Sequence, residues 1–313
     1  MPERSATIAP DAMELHYAHI VRAVADTPWA ITPRMLALIT DLVAFRAAGN
    51  RLTKAEIRDR IAAEVEGRIN AETARVGAAR SGDVAVIPLQ GVITPRAGMF
   101  ADVSGMAALD RFRARVREAL SNEQVGSILV HIDSPGGSVD LVEEAARELF
   151  DARGQKRLVG IADTLCASAA YWIGAQVDEL VVTPSGEVGS IGVYAAHVEY
   201  SKAMEAAGVK ATLVKAGKFK AEGNPYEPLT EEAQAAMQAR VNDYYDMFVK
   251  AVARGRGVKP ADVRNGFGEG RVVGAAEAVR LGMADRVATF EDTLARMRNA
   301  RPSGQSRRSL AFA

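Results

Sequence analysis

Short apolar, β-branched runs alternate with segments of helical period through the middle of the chain. Val84-Ala-Val-Ile-Pro-Leu89, Ser127-Ile-Leu-Val-His-Ile132, Leu158-Val-Gly-Ile-Ala162 and Glu179-Leu-Val-Val-Thr183 have the length and composition of strands. Ile191-Gly-Val-Tyr194 and Ala211-Thr-Leu-Val-Lys215 read the same way. Between these runs, 107–120, 139–153, 168–176 and 201–207 predict helices. The alternation predicts an α/β domain with right-handed crossovers. A longer amphipathic helix is predicted over 230–254, where Thr230-Glu231-Glu232 sets acids against the positive end of the helix dipole.

The flanks differ from this core. From Pro10 to about Arg80 apolar positions such as Ile20, Val21 and Val24, then Leu36, Ile39, Leu42 and Val43, recur at helical spacing. Thr53-Lys54-Ala55-Glu56 resembles a capping box, and Ser81-Gly82 marks a boundary. Three regions are therefore expected: a helical N-terminal region over 1–80, the α/β domain over 81–294, and a disordered basic tail over 295–313 rich in Arg, Ser and Gly.

Composition narrows the classes of function. With 39 basic and 39 acidic residues the formal net charge is zero, which argues against nucleic-acid binding driven by bulk charge. Cys166 is the single cysteine, so no intramolecular disulfide and no cysteine-based zinc cluster can form. The longest uncharged apolar stretch, Thr164 to Val177, is too short to span a bilayer. Met1 to Glu14 lacks the apolar segment of a signal peptide. A cytoplasmic protein without a membrane partner is expected.

The chemistry concentrates at two motifs. Ser168 lies in Leu165-Cys-Ala-Ser-Ala-Ala-Tyr-Trp172, among small residues at the start of an apolar helix. About thirty residues earlier stands Asp133-Ser-Pro-Gly-Gly-Ser138, a strand end whose glycines can turn backbone N–H groups outward. A nucleophile and a place to hold an oxyanion are what acyl transfer needs. Ser138 is expected to cap the following helix, whose apolar face is Val139, Val142, Ala146 and Leu149. The plain alternatives are a capping or packing serine and an ordinary tight turn.

The general base is open between two residue types. His16 and His19 are spaced for a metal but have no third ligand, and His131 sits mid-strand at a core position. His197 is the histidine candidate. Gly217-Lys-Phe-Lys-Ala-Glu-Gly223 offers Lys218 and Lys220, since a neutral lysine is a competent base, or else forms a solvated loop. Cys166 is a second possible nucleophile, although a buried small hydrophobe is its simpler role.

Taken in order, Asp133-Ser-Pro-Gly-Gly-Ser138, Cys166-Ala-Ser-Ala-Ala-Tyr-Trp172, Gly189-Ser-Ile-Gly-Val193 and Gly217-Lys-Phe-Lys220 resemble the signal-peptide-peptidase family of Ser–Lys peptidases. The resemblance runs from about Asp83 to Leu294. The helical N-terminal region with Thr27-Pro-Trp-Ala-Ile31 looks more like the phage and prophage branch, the capsid (prohead) assembly proteases. It implies a Clp-protease/crotonase-like α/β spiral of βαβ units. It further implies Ser168 as nucleophile, Lys220 as base, Gly137 and Ala169 as oxyanion N–H donors, and Ser190 orienting the lysine; Lys218 is off register and His197 has no counterpart. No cofactor or metal is implied. The implied partners are a protein or peptide substrate, such as capsid scaffold or portal, and further copies of the chain in a ring. Ala169-Ala170 departs from the Gly-Gly of many members, which bears on substrate preference. Rival readings are a general cytosolic peptidase of the same family, a crotonase-type acyl-CoA enzyme with an adenine and phosphate pocket, and a non-catalytic capsid assembly subunit.

Overall fold

The structure, a computed structural model, describes residues 28–37, 84–96 and 106–300. The strands are β1 (Trp29–Ile31), β2 (Val84–Gln90), β3 (Ile93–Thr94), β4 (Ala107–Ala108), β5 (Ser127–Ser134), β6 (Gly136–Ser138), β7 (Arg157–Ala167), β8 (Glu179–Val182), β9 (Glu187–Gly189), β10 (Val272–Gly274) and β11 (Arg286–Val287). The helices are α1 (Leu109–Ser121), α2 (Val142–Asp151), α3 (Ala169–Gly174), α4 (Ser201–Ala206), α5 (Glu231–Arg256), α6 (Pro260–Gly266), α7 (Ala275–Arg280) and α8 (Phe290–Asn299).

The parallel strands β2, β5 and β7 form the centre of the main sheet. Ile128 to Ile132 in β5 are apolar apart from His131 and buried throughout, as a strand covered on both faces must be. One face packs on α1, α2, α3 and α5. The other gathers Leu129, Val159, Ile161 and Val181 beneath Met297 of α8. Helix α1 buries Leu109, Phe112, Val116 and Ala119, and α2 buries Val142, Ala145, Ala146 and Leu149, each at the spacing of one helix face.

The long strand β7 serves two neighbours. Val159 to Ala162 pair with β8, and Leu165 to Ala167 pair with β9. The change of partner falls at Thr164, a β-branched residue at φ 86°. Its hydroxyl donates to Asp133 Oδ1 at 2.7 Å and its N–H to Thr183 Oγ1 at 3.2 Å, which hold the bend. A second sheet, ordered β1-β6-β3-β4, sits at the carboxyl end of β5. There β1 runs antiparallel to β6 on one side, while β3 runs parallel to β6 on the other.

The α/β class and its succession of parallel strands agree with the sequence reading, and several local expectations need correction. Ser138 does not cap α2: the residue before that helix is Leu141 in the left-handed region, and Ser138 Oγ instead pairs with Asp140. Residues 211–215 are not a strand; Val214 is 97% exposed, so its β-branched side chain finds no sheet to pack on. Residues 191–194 contribute only an isolated bridge through Tyr194, because the edge of β9 is taken by β10. In the N-terminal region Trp29–Ile31 is extended, followed by a helical turn at 33–37. The capping box at Thr53, the histidines at 16 and 19 and the tail beyond residue 300 lie outside the described residues. Helix α8 continues through Asn299, past the expected boundary at 294.

An ionic cluster ties the far edge of the sheet together. Glu179 of β8 contacts Arg157 at 2.8 Å, Arg286 at 3.0 Å and Arg296 of α8 at 2.7 Å. Burial alone would push the Glu179 carboxyl up, but hydrogen bonds from Arg286 and Arg157, with the charge of Arg296, hold it below its ordinary value. A carboxylate depressed in the folded state stabilises the fold above its unfolded pKa of about 4.3. That contribution disappears as pH falls through the lower folded value. Thermal melts are therefore expected to drop steeply below about pH 4, and Glu179→Gln should flatten the decline while lowering stability at neutral pH.

Candidate active site

Strand β7 ends at Ala167 and α3 begins at Ala169, leaving Ser168 on the turn between them at φ 56° and ψ −120°. A residue other than glycine is strained there and must be held by its surroundings. The Ser168 N–H donates to Gly189 O at 2.7 Å, and Ser168 O accepts from Trp172 N at 2.9 Å. The whole of α3 is buried. Trp172 stacks on Phe248 with ring centroids 4.6 Å apart and donates through Nε1 to Glu143 at 2.9 Å. Tyr171 donates to Met283 O at 2.8 Å. The backbone of Ser168 is thus held by two hydrogen bonds and the helix after it by its two aromatic side chains, yet the Ser168 Oγ is buried and has no hydrogen-bond partner.

The paired glycines stand against it. Gly136 has φ 96°, and a methyl group on it would lie 2.2 Å from Ala30 O and 2.9 Å from Ser168 Cβ. A methyl on Gly137 would lie 2.0 Å from Ile93 O. Both positions need glycine because neighbouring backbone, and at Gly136 also the Ser168 side chain, passes too close for a Cβ. Ser134 Oγ donates to Gly91 O at 2.7 Å and accepts from Gly136 N at 3.2 Å, fixing the turn into β6. As the first residue of α3, Ala169 has an N–H with no partner inside the helix. Gly136, just before Gly137 in β6, therefore abuts the Ser168 side chain, and Ala169 follows the serine at the start of α3.

The other expected residues fall as follows. Ser190, buried and at φ 54°, follows the glycine that receives the Ser168 N–H. Lys220 is exposed in the run of turns over 216–223 and makes no hydrogen bond to Ser168 Oγ. Lys218 is also exposed and pairs with Glu232 at 2.7 Å. Serine and lysine are thus not brought together within one chain. His197 is half-buried, its Nε2 has no hydrogen-bond partner, and it does not reach Ser168. His131 is a core residue whose Nε2 lies 2.8 Å from Asp163 Oδ2. Complete burial pushes the Cys166 thiol well above its ordinary value, leaving it protonated and unsuited to attack.

One element of the site is absent from the sequence reading. Ala30 of β1 lies opposite Gly137, and its carbonyl closes on Gly136 from the same side as Ser168 Cβ. The available signal was an apolar triplet, Trp29-Ala30-Ile31, between Pro28 and Pro33, which favours extended backbone over helix.

A cleft of about 960 Å³ beside α2 is lined by Arg113, Arg117, Arg147, Glu143, Glu144 and Glu148 among others, and Ser168 is not part of it. Its mixed charge does not suit a phosphate-rich ligand. Among the described residues no three His, Cys, Asp or Glu side chains gather into a metal-binding group, and no helix is long and apolar enough to cross a membrane.

Residues 151–302, which include Ser168 and Lys220, match the model of Peptidase family S49. The chain is 31% identical over 226 residues to the capsid assembly protease C of Escherichia phage lambda, covering 72% of this chain and 51% of that one. It is 31% identical over 217 residues to the head-tail preconnector protein GP5 of Enterobacteria phage P21, covering 69% of this chain and 43% of that one. Protease 4 of Salmonella typhi matches at 28% identity over 216 residues, 69% of this chain and 34% of that one. The chain spans about half the length of the two phage relatives. A solved membrane-bound stomatin-specific protease aligns with a TM-score of 0.42 at 14% identity, covering 69% of this chain and 85% of that one.

Proposed function

Because the chain belongs to peptidase family S49, we propose that it is a serine endopeptidase that cleaves phage head proteins, such as scaffold or portal, with Ser168 as nucleophile. The observation that carries this reading is the strained, buried Ser168, whose hydroxyl has no hydrogen-bond partner and whose Cβ lies against Gly136. A hydroxyl held that way costs stability and serves no packing role. The substrate class rests on the capsid assembly protease among the relatives.

In the proposed reaction Lys220 Nζ takes the Ser168 proton and Oγ attacks the scissile carbonyl. The N–H groups of Gly137 and Ala169 receive the developing oxyanion, each contributing roughly 3 kcal/mol to the transition state. The ammonium then protonates the leaving amine, and water releases the acyl group by the reverse sequence. Ser190 Oγ orients the amine.

With Ser168 unpartnered and Lys220 exposed in one chain, the dyad is assigned to neighbouring copies in a homo-oligomeric ring. The test has two arms. A fluorophosphonate probe should form a covalent adduct at Ser168, identified by peptide mass. Mixing inactive Ser168→Ala and Lys220→Ala chains should restore part of the cleavage activity, whereas Lys218→Ala and His197→Ala remain active alone. Absence of an adduct would reject the peptidase; full activity from a monomer seen by light scattering would reject the shared dyad.

A further inference from the structure

The segment from Pro28 to Thr32 is held as an extended peptide on both of its edges. Val139 N donates to Pro28 O at 3.4 Å and Thr32 N to Pro135 O at 3.0 Å, on the β6 side. On the opposite edge Trp29 N donates to Tyr194 O at 2.8 Å and Tyr194 N to Trp29 O at 3.1 Å. The antiparallel register pairs Ala30 with Gly137. Hydrogen-bonded and non-bonded pairs alternate along such a ladder, and the two flanking bonds make this the bonded pair. The Gly137 N–H, one of the two proposed oxyanion donors, is therefore directed at the Ala30 carbonyl.

The same carbonyl is close to the nucleophile. Ala30 O and Ser168 Cβ both lie within 3 Å of the point where a Gly136 methyl would stand, so they are at most about 5 Å apart. The Ala30 side chain is completely buried and that of Ile31 nearly so. A peptide about to be cut would have the same relations: strand pairing with the glycine strand, a carbonyl at the oxyanion donor, and the serine beside it.

Building on the peptidase reading, we propose that residues 28–32 are an internal occupant of the peptide-binding cleft, lying in substrate register with Ala30 at the attacked position, and that extended peptides bind only when this strand leaves. The ligand of the vacated cleft is an extended peptide running antiparallel to β6 with a small side chain opposite Gly137. The occlusion also accounts for the buried Ser168 hydroxyl, which an open cleft would expose.

The strand can be forced out or locked in. Ala30→Arg places a long charged side chain where a methyl is fully enclosed, which displaces β1. Trp29→Cys with Tyr194→Cys joins a hydrogen-bonded cross-strand pair, whose Cα separation of about 5.5 Å lies within disulfide range. The readout is anisotropy of a fluorescein-labelled peptide copying residues 26–34, measured on full-length chains that also carry Ser168→Ala, so that catalysis is not required. Peptide affinity should rise at least tenfold in the Ala30→Arg chain. In the double-cysteine chain it should fall at least tenfold on oxidation and recover with dithiothreitol. Unchanged affinity across the oxidised and reduced double-cysteine forms overturns the proposal, whether or not Ala30→Arg folds, as does a folded Ala30→Arg chain binding no better than the parent. Fluorophosphonate labelling of the same variants with Ser168 intact reports separately on the peptidase: gated peptide binding without any Ser168 adduct would leave the occluding strand standing and remove the enzyme.

Discussion

Ser168→Ala is expected to abolish peptide cleavage, a loss of about a thousandfold or more, while the protein melts at the same temperature or higher. The two effects share one cause. The Ser168 hydroxyl is buried with no hydrogen-bond partner, so the native state bears the cost of desolvating it, about 1 to 3 kcal/mol. Removing the oxygen lifts that cost. The backbone bonds to Gly189 O and from Trp172 N involve no side-chain atom and persist in alanine. Peptide cleavage assays and thermal melts of the two proteins check both halves. A melting temperature lower by more than about 4 °C, roughly 1–2 kcal/mol in a domain this size, would show that the hydroxyl has a structural role.

Gly137→Ala is the second large effect, and here activity and stability are expected to fall together. The added methyl would stand 2.0 Å from Ile93 O, a backbone atom of β3, with β1 on the other edge of β6. No side-chain rotation relieves a clash between backbones, so β6 must shift, at a cost of about 3 kcal/mol. The shift carries the Gly137 N–H away from Ser168, and turnover should drop about a hundredfold or more, as when one oxyanion donor is removed. Gly274→Ala is the control. Its methyl meets nothing within 4 Å and its φ is −68°, so stability and activity should both stay near the parent's. Urea denaturation with parallel cleavage assays separates the pair; a Gly137→Ala protein of parental stability and activity would sink the close-approach argument.

The parts of the fold that local sequence decides were readable. The runs in β2, β5 and β8 are short and apolar because both sheet faces are covered, and Pro-Gly-Gly marks the turn that ends β5. The second sheet was not readable. Gly136-Gly137-Ser138 has no strand propensity of its own, and its extended form comes from β3 and β1 on either edge. Residues 211–215 fail in the opposite sense: a strand-like composition finds no edge to join. The choice of base is a third case. Glycine spacing ranks Lys220 over Lys218 only through the family pattern, and both lysines are exposed in the single chain, so the partner of Ser168 depends on contacts that sequence periodicity does not encode.

The pairing of β1 with β6 joins residues more than a hundred positions apart in the chain. A strand tethered over such a length is not diluted when it leaves its place. It remains near the cleft at an effective concentration of up to about a millimolar, and because that figure falls as roughly the −3/2 power of tether length, each doubling costs only about 0.6 kcal/mol. A peptide free in solution at micromolar concentration competes poorly with it. If the proposed strand release holds, a substrate itself confined at high density would reach comparable local concentrations and displace the strand. Cleavage would then depend on crowding of the target more than on its sequence, and would begin when assembly has brought enzyme and substrate together.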